Sequence, residues 1–227
     1  MKQKFTILFD LDGTLVDTAP DLMLAHNHVM KKFGYPTKST EDIRNLVGKG
    51  AEALIGRSIW GQAKKEFSKV LDDKIKDEMV KEFVNFYGKN IVNESTLITG
   101  VKDFLIWCKE QNISMAVCTN KQEHLSNDLL KKIGIYDFFE YVAGSDTFDY
   151  CKPDPRHLTN VVEILDGDLK KTIMIGDSET DANAGKAAEI PVILLENGYT
   201  EKNTTEIYHN HLIKDFTGIE KIIKKYL

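Results

Sequence analysis

The chain has 227 residues, 42% of them hydrophobic, which is enough to bury the core of one large domain or of a domain carrying an insert, and too apolar for a disordered chain. Its 30 Lys and Arg against 35 Asp and Glu leave a net charge of −5, which argues against nucleic acid as a partner while leaving room for small anions at a local positive site. No apolar run approaches the ~20 residues of a membrane span. The three cysteines, Cys108, Cys118 and Cys151, show no CxxC spacing, so neither disulfides nor zinc are expected. A cytoplasmic protein without a membrane partner is the expectation.

The first element is a strand over Thr6–Asp10, because TILF is β-branched and aromatic and Gly13 turns the chain away soon after. It carries Asp10 and Asp12 to a strand mouth. Residues two apart on a strand point to the same side, about 7 Å apart, so a phosphate-sized group fits between them. An Asp-x-Asp-Gly run also opens calcium loops, but no glutamate ligand follows at the required distance.

From Pro20 to Tyr87 no convincing strand occurs, and the spacing predicts a helical insert. Asp17 or Thr18 can cap its first helix with Pro20 in the first turn, and Leu22, Ala25, Val29 and Phe33 form an apolar stripe that Gly34 ends. A further helix is expected over Lys74–Tyr87, with Ile75, Met79, Phe83 and Phe86 inward and its charges on a solvated face. The connections near Leu15–Thr18 and Asn93–Thr99 would be the hinges.

Beyond Gly100, short apolar strands are predicted at Ser114–Thr119, Tyr141–Gly144, Thr172–Gly176 and Pro191–Leu195. Helices are predicted at Val101–Gln111, His124–Ile133, Pro155–Leu165 and Asp181–Ala188. This is the alternation of a doubly wound, Rossmann-like α/β fold with a parallel sheet, in which ligands bind at the carboxyl ends of the strands. The expected division is a core of residues 1–15 and 95–227, with a small helical cap over 16–94 inserted after the first strand.

Three more motifs fall at strand ends. Cys118-Thr119-Asn120-Lys121 offers a hydroxyl and an amide to a phosphoryl oxygen, although Thr119 and Asn120 could simply cap the next helix. Lys152-Pro153-Asp154-Pro155 could hold a positive charge rigidly, or be an exposed loop. Gly176-Asp177-Ser178-Glu179-Thr180-Asp181 follows a buried strand, where acids are costly unless they meet a metal or a cation; Asp181 alone could be a first-turn helix acid.

In this order the four motifs resemble those of the haloacid dehalogenase superfamily, over nearly the whole chain. The resemblance implies a magnesium-dependent phosphatase. Asp10 would attack phosphorus to form an aspartyl-phosphate, and Asp12 would protonate the leaving oxygen and then deprotonate water. It implies a Mg²⁺ ion held by Asp10, the backbone carbonyl of Asp12 and Asp177, with Thr119, Asn120 and Lys152 on the phosphoryl oxygens and Asp181 orienting from behind. The acid at Asp12 argues against a dehalogenase, which protonates no alkoxide.

Within that superfamily the cap turn Gly48-Lys49-Gly50 and the runs FDLDGTLVDTAPDL, CTNK, KPDP and MIGDSETDANAGKAA are similar to phosphoglycolate phosphatases. Lys49 and Arg57 would then face the substrate carboxylate, while Gly48 and Gly50 could equally be a turn between helices. Leu97-Ile98-Thr99-Gly100 departs from the Phe-Pro-Gly-like turn common in that group. The expected partner is a small phosphate ester and the assembly a monomer or homodimer. The alternatives are a sugar phosphate, nucleotide or pyrophosphate as substrate, a phosphomutase, or a phosphate-binding regulatory module without catalysis. His26, His28, His209 and His211 are given no role, and Cys118 and Cys151 are either redox-sensitive neighbours of the site or buried apolar residues.

Overall fold

The computed structural model describes residues 3–66, 73–200 and 202–227. Met1, Lys2 and residues 67–72 of the expected insert therefore lie outside the described residues. Six parallel strands form the main sheet: β1 (Thr6–Phe9), β4 (Ser114–Cys118), β5 (Tyr141–Ala143), β6 (Thr172–Gly176), β7 (Val192–Leu195) and β8 (His211–Ile213). Their order is β5-β4-β1-β6-β7-β8. The chain thus winds outward from β1 in both directions, and the crevice between the two windings opens at the carboxyl end of β1.

The residues on β1 explain why it is central. Ile7 and Phe9 join one apolar cluster and Leu8 another on the opposite face, as the two-residue period of a strand demands. Its neighbours repeat the alternation, with Met115 and Val117 against Ala116 and Cys118, and Ile173 and Ile175 against Met174. Such strands must be covered on both sides. Helix α5 (Val101–Glu110) precedes β4, and α6 (Glu123–Ile133), α7 (Arg156–Ile164), α8 (Glu179–Ala187) and α9 (Glu220–Ile223) follow β4, β5, β6 and β8.

The expected strands and helices occur within two residues of their bounds, and the differences are informative. β1 ends at Phe9, so Asp10 and Asp12 lie past the strand, although Asp10 N–H still extends the ladder to the Ile175 carbonyl at 2.9 Å. The sixth strand, β8, was not expected: its polar flanks conceal an edge strand paired to β7 on one side only. His211 belongs to it and meets the Tyr226 hydroxyl at 2.9 Å.

The insert contains α1 (Ala19–Lys32), α2 (Thr40–Arg44), α3 (Gly50–Glu66) and α4 (Asp73–Lys89), and is bounded by a two-stranded antiparallel ribbon of β2 (Val16–Asp17) and β3 (Thr96–Leu97). Leu22, Ala25 and Val29 are buried as the stripe requires, and Met79 and Phe83 likewise on α4. Ile75 is 39% exposed rather than inward, and Phe86 is half-buried, its ring stacked on His28 at 4.0 Å. Neither Asp17 nor Thr18 caps α1, because the Asp17 carboxylate faces Arg44 and the Thr18 hydroxyl donates to Asp12 at 2.6 Å. Among the described residues no helix is long and apolar enough to cross a membrane.

One buried acid ties the insert to its exit. Asp21, 1% exposed, accepts from the backbone N–H groups of Asn93, Glu94 and Ser95 and from the Ser95 hydroxyl at 2.6 Å. Removing that carboxylate leaves several donors unmatched at once. Asp21→Ala is expected to destabilise the chain by about 2–4 kcal/mol in urea unfolding, and a change below ~0.5 kcal/mol would show that water replaces the carboxylate without loss.

Candidate active site

Strands β4, β1 and β6 end at one level, since Phe9 is in register with both Val117 and Ile175. The residues just beyond each strand therefore meet: Asp10 and Asp12, Thr119 to Lys121, and Asp177. Gly13, at φ +80°, makes the turn after Asp12, and a Cβ there would lie 2.2 Å from Asp177 Oδ2, so only glycine lets the two loops approach so closely.

The two first-loop acids have separate surroundings. Asp10 Oδ1 lies 2.9 Å from Lys152 Nζ. Burial, partly offset by Lys152, pushes its carboxyl up to about 6. Asp12 instead takes Lys121 Nζ on both oxygens, at 2.7 and 2.8 Å, together with the Thr18 hydroxyl. The two acids thus divide the two buried lysines between them. A shared edge at the strand mouth was expected; different cation partners were not.

Lys152, 2% exposed, sits in a loop but is not an exposed lysine. Its ammonium also donates to Asp181 Oδ1 at 2.5 Å, and its proton is held more tightly than usual, the two carboxylates outweighing desolvation. Asp181, fully buried, sits in the first turn of α8. Its Oδ2 accepts from the backbone N–H groups of Asp177 and Ser178 and from the Ser178 hydroxyl, so both its oxygens are engaged. Asp177 accepts from Tyr199 N–H at 2.6 Å, and desolvation together with the charges of Asp10 and Asp181 raises its carboxyl well above the usual range.

Asp10, Asp177 and Asp181 each present an oxygen within 4.8 Å of the others. Three buried carboxylates against the single charge of Lys152 leave an excess of negative charge that protonation or a cation must neutralise. The donors are all oxygens, which suits a hard divalent cation.

Neither Thr119 nor Asn120 caps α6. Thr119 Oγ1 accepts from Lys121 N–H at 3.2 Å and keeps its own proton free to donate. Asn120 Nδ2 donates to the carbonyls of Lys152 at 2.9 Å and Gly48 at 3.1 Å, joining the second and third loops to the insert. Gly48 and Gly50 both have positive φ, and Lys49 between them is exposed, lining a cavity of about 320 Å³ above Asp10 and Asp12. On the insert side the cavity wall carries the apolar Leu22, Val47, Leu54, Val80 and Phe83 beside the charged Lys49 and Glu52. Arg57 does not line this chamber. Its guanidinium donates to the carbonyls of Leu46 and Asn45 at the end of α2 and borders a separate small cavity with Ser178 and Tyr199.

Residue-by-residue reading passed over two members of this arrangement. Lys121 closes the CTNK run but carried no role, and nothing in its spacing tells it from a surface lysine. Tyr199 had no sequence signal at all: its hydroxyl accepts from Ala19 N–H at 2.8 Å and donates to Asp17 at 2.6 Å, while its N–H holds Asp177. Cys118 is buried in the apolar cluster under the site, with its thiol pushed up to about 12 by that burial, and Cys151 is partly buried and also raised.

Comparison with known proteins bears on this geometry. A family model described as haloacid dehalogenase-like hydrolase matches residues 7–195. The phosphoglycolate phosphatase of Mesorhizobium japonicum is 36% identical over 213 residues, covering 94% of this chain and 92% of that one. That of Caulobacter vibrioides is 37% identical over 216 residues, 95% and 89% of the two chains. A crystal structure of a predicted phosphoglycolate phosphatase from Haemophilus somnus superimposes with a TM-score of 0.91 at 30% identity, covering 98% of this chain and 99% of that one.

Proposed function

Because the chain belongs to the haloacid dehalogenase-like hydrolase family and is a phosphatase within it, we propose that it hydrolyses 2-phosphoglycolate to glycolate and phosphate, with the phosphoryl group carried on Asp10. The observation that supports this reading most is the separation of the two acids, one against Lys152 and one against Lys121, because the reaction needs two carboxylates with different tasks. Named relatives that act on phosphoglycolate support the substrate.

In this reading Asp10 attacks phosphorus and the bond to the ester oxygen breaks, while Asp12 gives that oxygen its proton and the alcohol leaves neutral. Water then gives a proton back to Asp12 and attacks the same phosphorus, which frees Asp10 and inorganic phosphate. Lys152 and Thr119 face the phosphoryl oxygens, the Asn120 amide, expected there too, is instead spent on the Lys152 and Gly48 carbonyls, and Asp181 holds Lys152 in place. Asp10, the Asp12 carbonyl and Asp177 would hold a divalent cation, magnesium in this reading, whose charge offsets the repulsion between the attacking carboxylate and the phosphate dianion. Residues 16–94 would act as the cap over a core of 1–15 and 95–227, with Gly48, Lys49 and Gly50 closing on the substrate through the Asn120 link and Arg57 bracing that turn.

A second reading rests on the chamber itself. At about 320 Å³, with a largely apolar wall, it falls within the ~300–1,000 Å³ of sites that admit much larger ligands, which favours a sugar phosphate or nucleotide. A panel of esters ranked by kcat/KM, with and without magnesium, decides between them. 2-Phosphoglycolate is expected to rank first, with free phosphate released. A larger ester ahead of it by tenfold or more would replace the substrate, and return of phosphate to an organic product would make the enzyme a mutase.

A further inference from the structure

We propose that Lys121, roofed by Tyr87, is the recognition site for an anionic group on the leaving-group side of the ester. The inference rests on the phosphoglycolate reading and names the residue that would read the substrate's carboxylate.

Two cations are among the chamber's lining residues, Lys49 and Lys121. They differ in kind. Lys49 is exposed on the insert, whereas the Lys121 side chain is 6% exposed, rooted in the core loop after β4, with its ammonium 4.6 Å from the centre of the Tyr87 ring. An ammonium taken out of water and set against an aromatic face is held for a purpose that a solvated lysine cannot serve. Tyr87 is 1% exposed and also lines the chamber, and its hydroxyl has no hydrogen-bond partner among the described residues. A charge and an unmatched hydroxyl therefore stand together in a wall that also carries the apolar Leu22, Leu54, Val80, Phe83 and Leu125.

Position relative to the reaction decides what that pair would meet. Lys121 Nζ is 2.7 and 2.8 Å from the two Asp12 oxygens. An Asp12 oxygen that hands a proton to the ester oxygen must itself lie ~2.6–3.2 Å from it. The ammonium is then at most ~6 Å from the ester oxygen. A carboxylate one methylene from that oxygen falls between the two and can accept from Nζ at an ordinary ion-pair distance. A neutral arm gains nothing there, and it leaves Lys121 bound to Asp12 alone. Lys152 cannot take this part, because Asp10 and Asp181 already hold it.

The test compares two esters of matched length within each protein, so that loss of folded enzyme or of general activity cancels. The ratio of kcat/KM for 2-phosphoglycolate to that for 2-hydroxyethyl phosphate is measured in the parent, Lys121→Met and Lys121→Arg. The parent is expected to favour the charged ester, Lys121→Met to lower that ratio by ~10–100-fold, and Lys121→Arg to keep most of it. If the parent prefers the charged ester and Lys121→Met keeps the ratio while both rates fall, Lys121 acts only through Asp12 and the proposal is overturned. A parent that shows no preference for the charged ester overturns the phosphoglycolate reading instead.

Discussion

Asp10→Asn is expected to lower turnover by about 10⁴–10⁶-fold while making the metal-free chain more stable than its parent at neutral pH. The loss follows from chemistry, since an amide does not form the acyl-phosphate. The gain follows from burial. The Asp10 carboxyl is pushed up to about 6 from an ordinary 3.8. Its folded form therefore binds a proton more tightly than its unfolded form, and the stability this supplies is fully present below about pH 4 and lost as the pH rises through about 6. Asparagine loses nothing over that range. In chelator-treated samples the variant's advantage in urea unfolding is expected to grow from near zero at pH 4 to ~3 kcal/mol above pH 6. An advantage independent of pH would mean that the Asp10 charge is not what burdens the fold, and undiminished turnover would remove Asp10 as the nucleophile.

Removing the cation is the second large effect. Chelation is expected to take activity below about 1% of the loaded enzyme, and readdition of magnesium to restore it together with thermal stability. At a hundredfold excess over the dissociation constant, binding to the folded state alone adds ~2.7 kcal/mol. Asp177→Asn is expected to lose both the turnover and the magnesium-dependent shift in melting temperature. It should also melt above the chelated parent, because it removes a carboxylate that burial and two like charges hold at an unfavourable ionisation. A variant that still gains stability and activity from magnesium would exclude Asp177 as a ligand.

The core was legible because its strands are short apolar runs of a single kind, and β1, β4, β6 and β7 are buried from end to end. The positions of Asp10, Thr119 and Asp177 at strand ends followed from counting along those runs, whereas Lys152 lies well past the end of β5, in the turn before α7. What the runs could not convey is pairing. Lys152 and Lys121 look alike in a sequence, and their opposite assignments to Asp10 and Asp12 arise from loop geometry that brings together residues more than a hundred positions apart. Edge strand β8 escaped because an edge needs fewer apolar residues. Asp21 and Tyr199 escaped because their side chains accept from backbone N–H groups, and backbone leaves no mark in composition.

Three carboxylates packed against a single lysine also bear on how much of this protein a cell would hold. If a cation binds there, the chain without it would be the less stable species, and so the one that opens more often to proteases, whose action tracks the open population when reclosing is fast. Scarcity of the ion would then lower the lifetime of the protein as well as its rate. Abundance in metal-poor and metal-rich growth would differ for the parent and converge for Asp177→Asn, a comparison of protein half-lives that needs no enzyme assay.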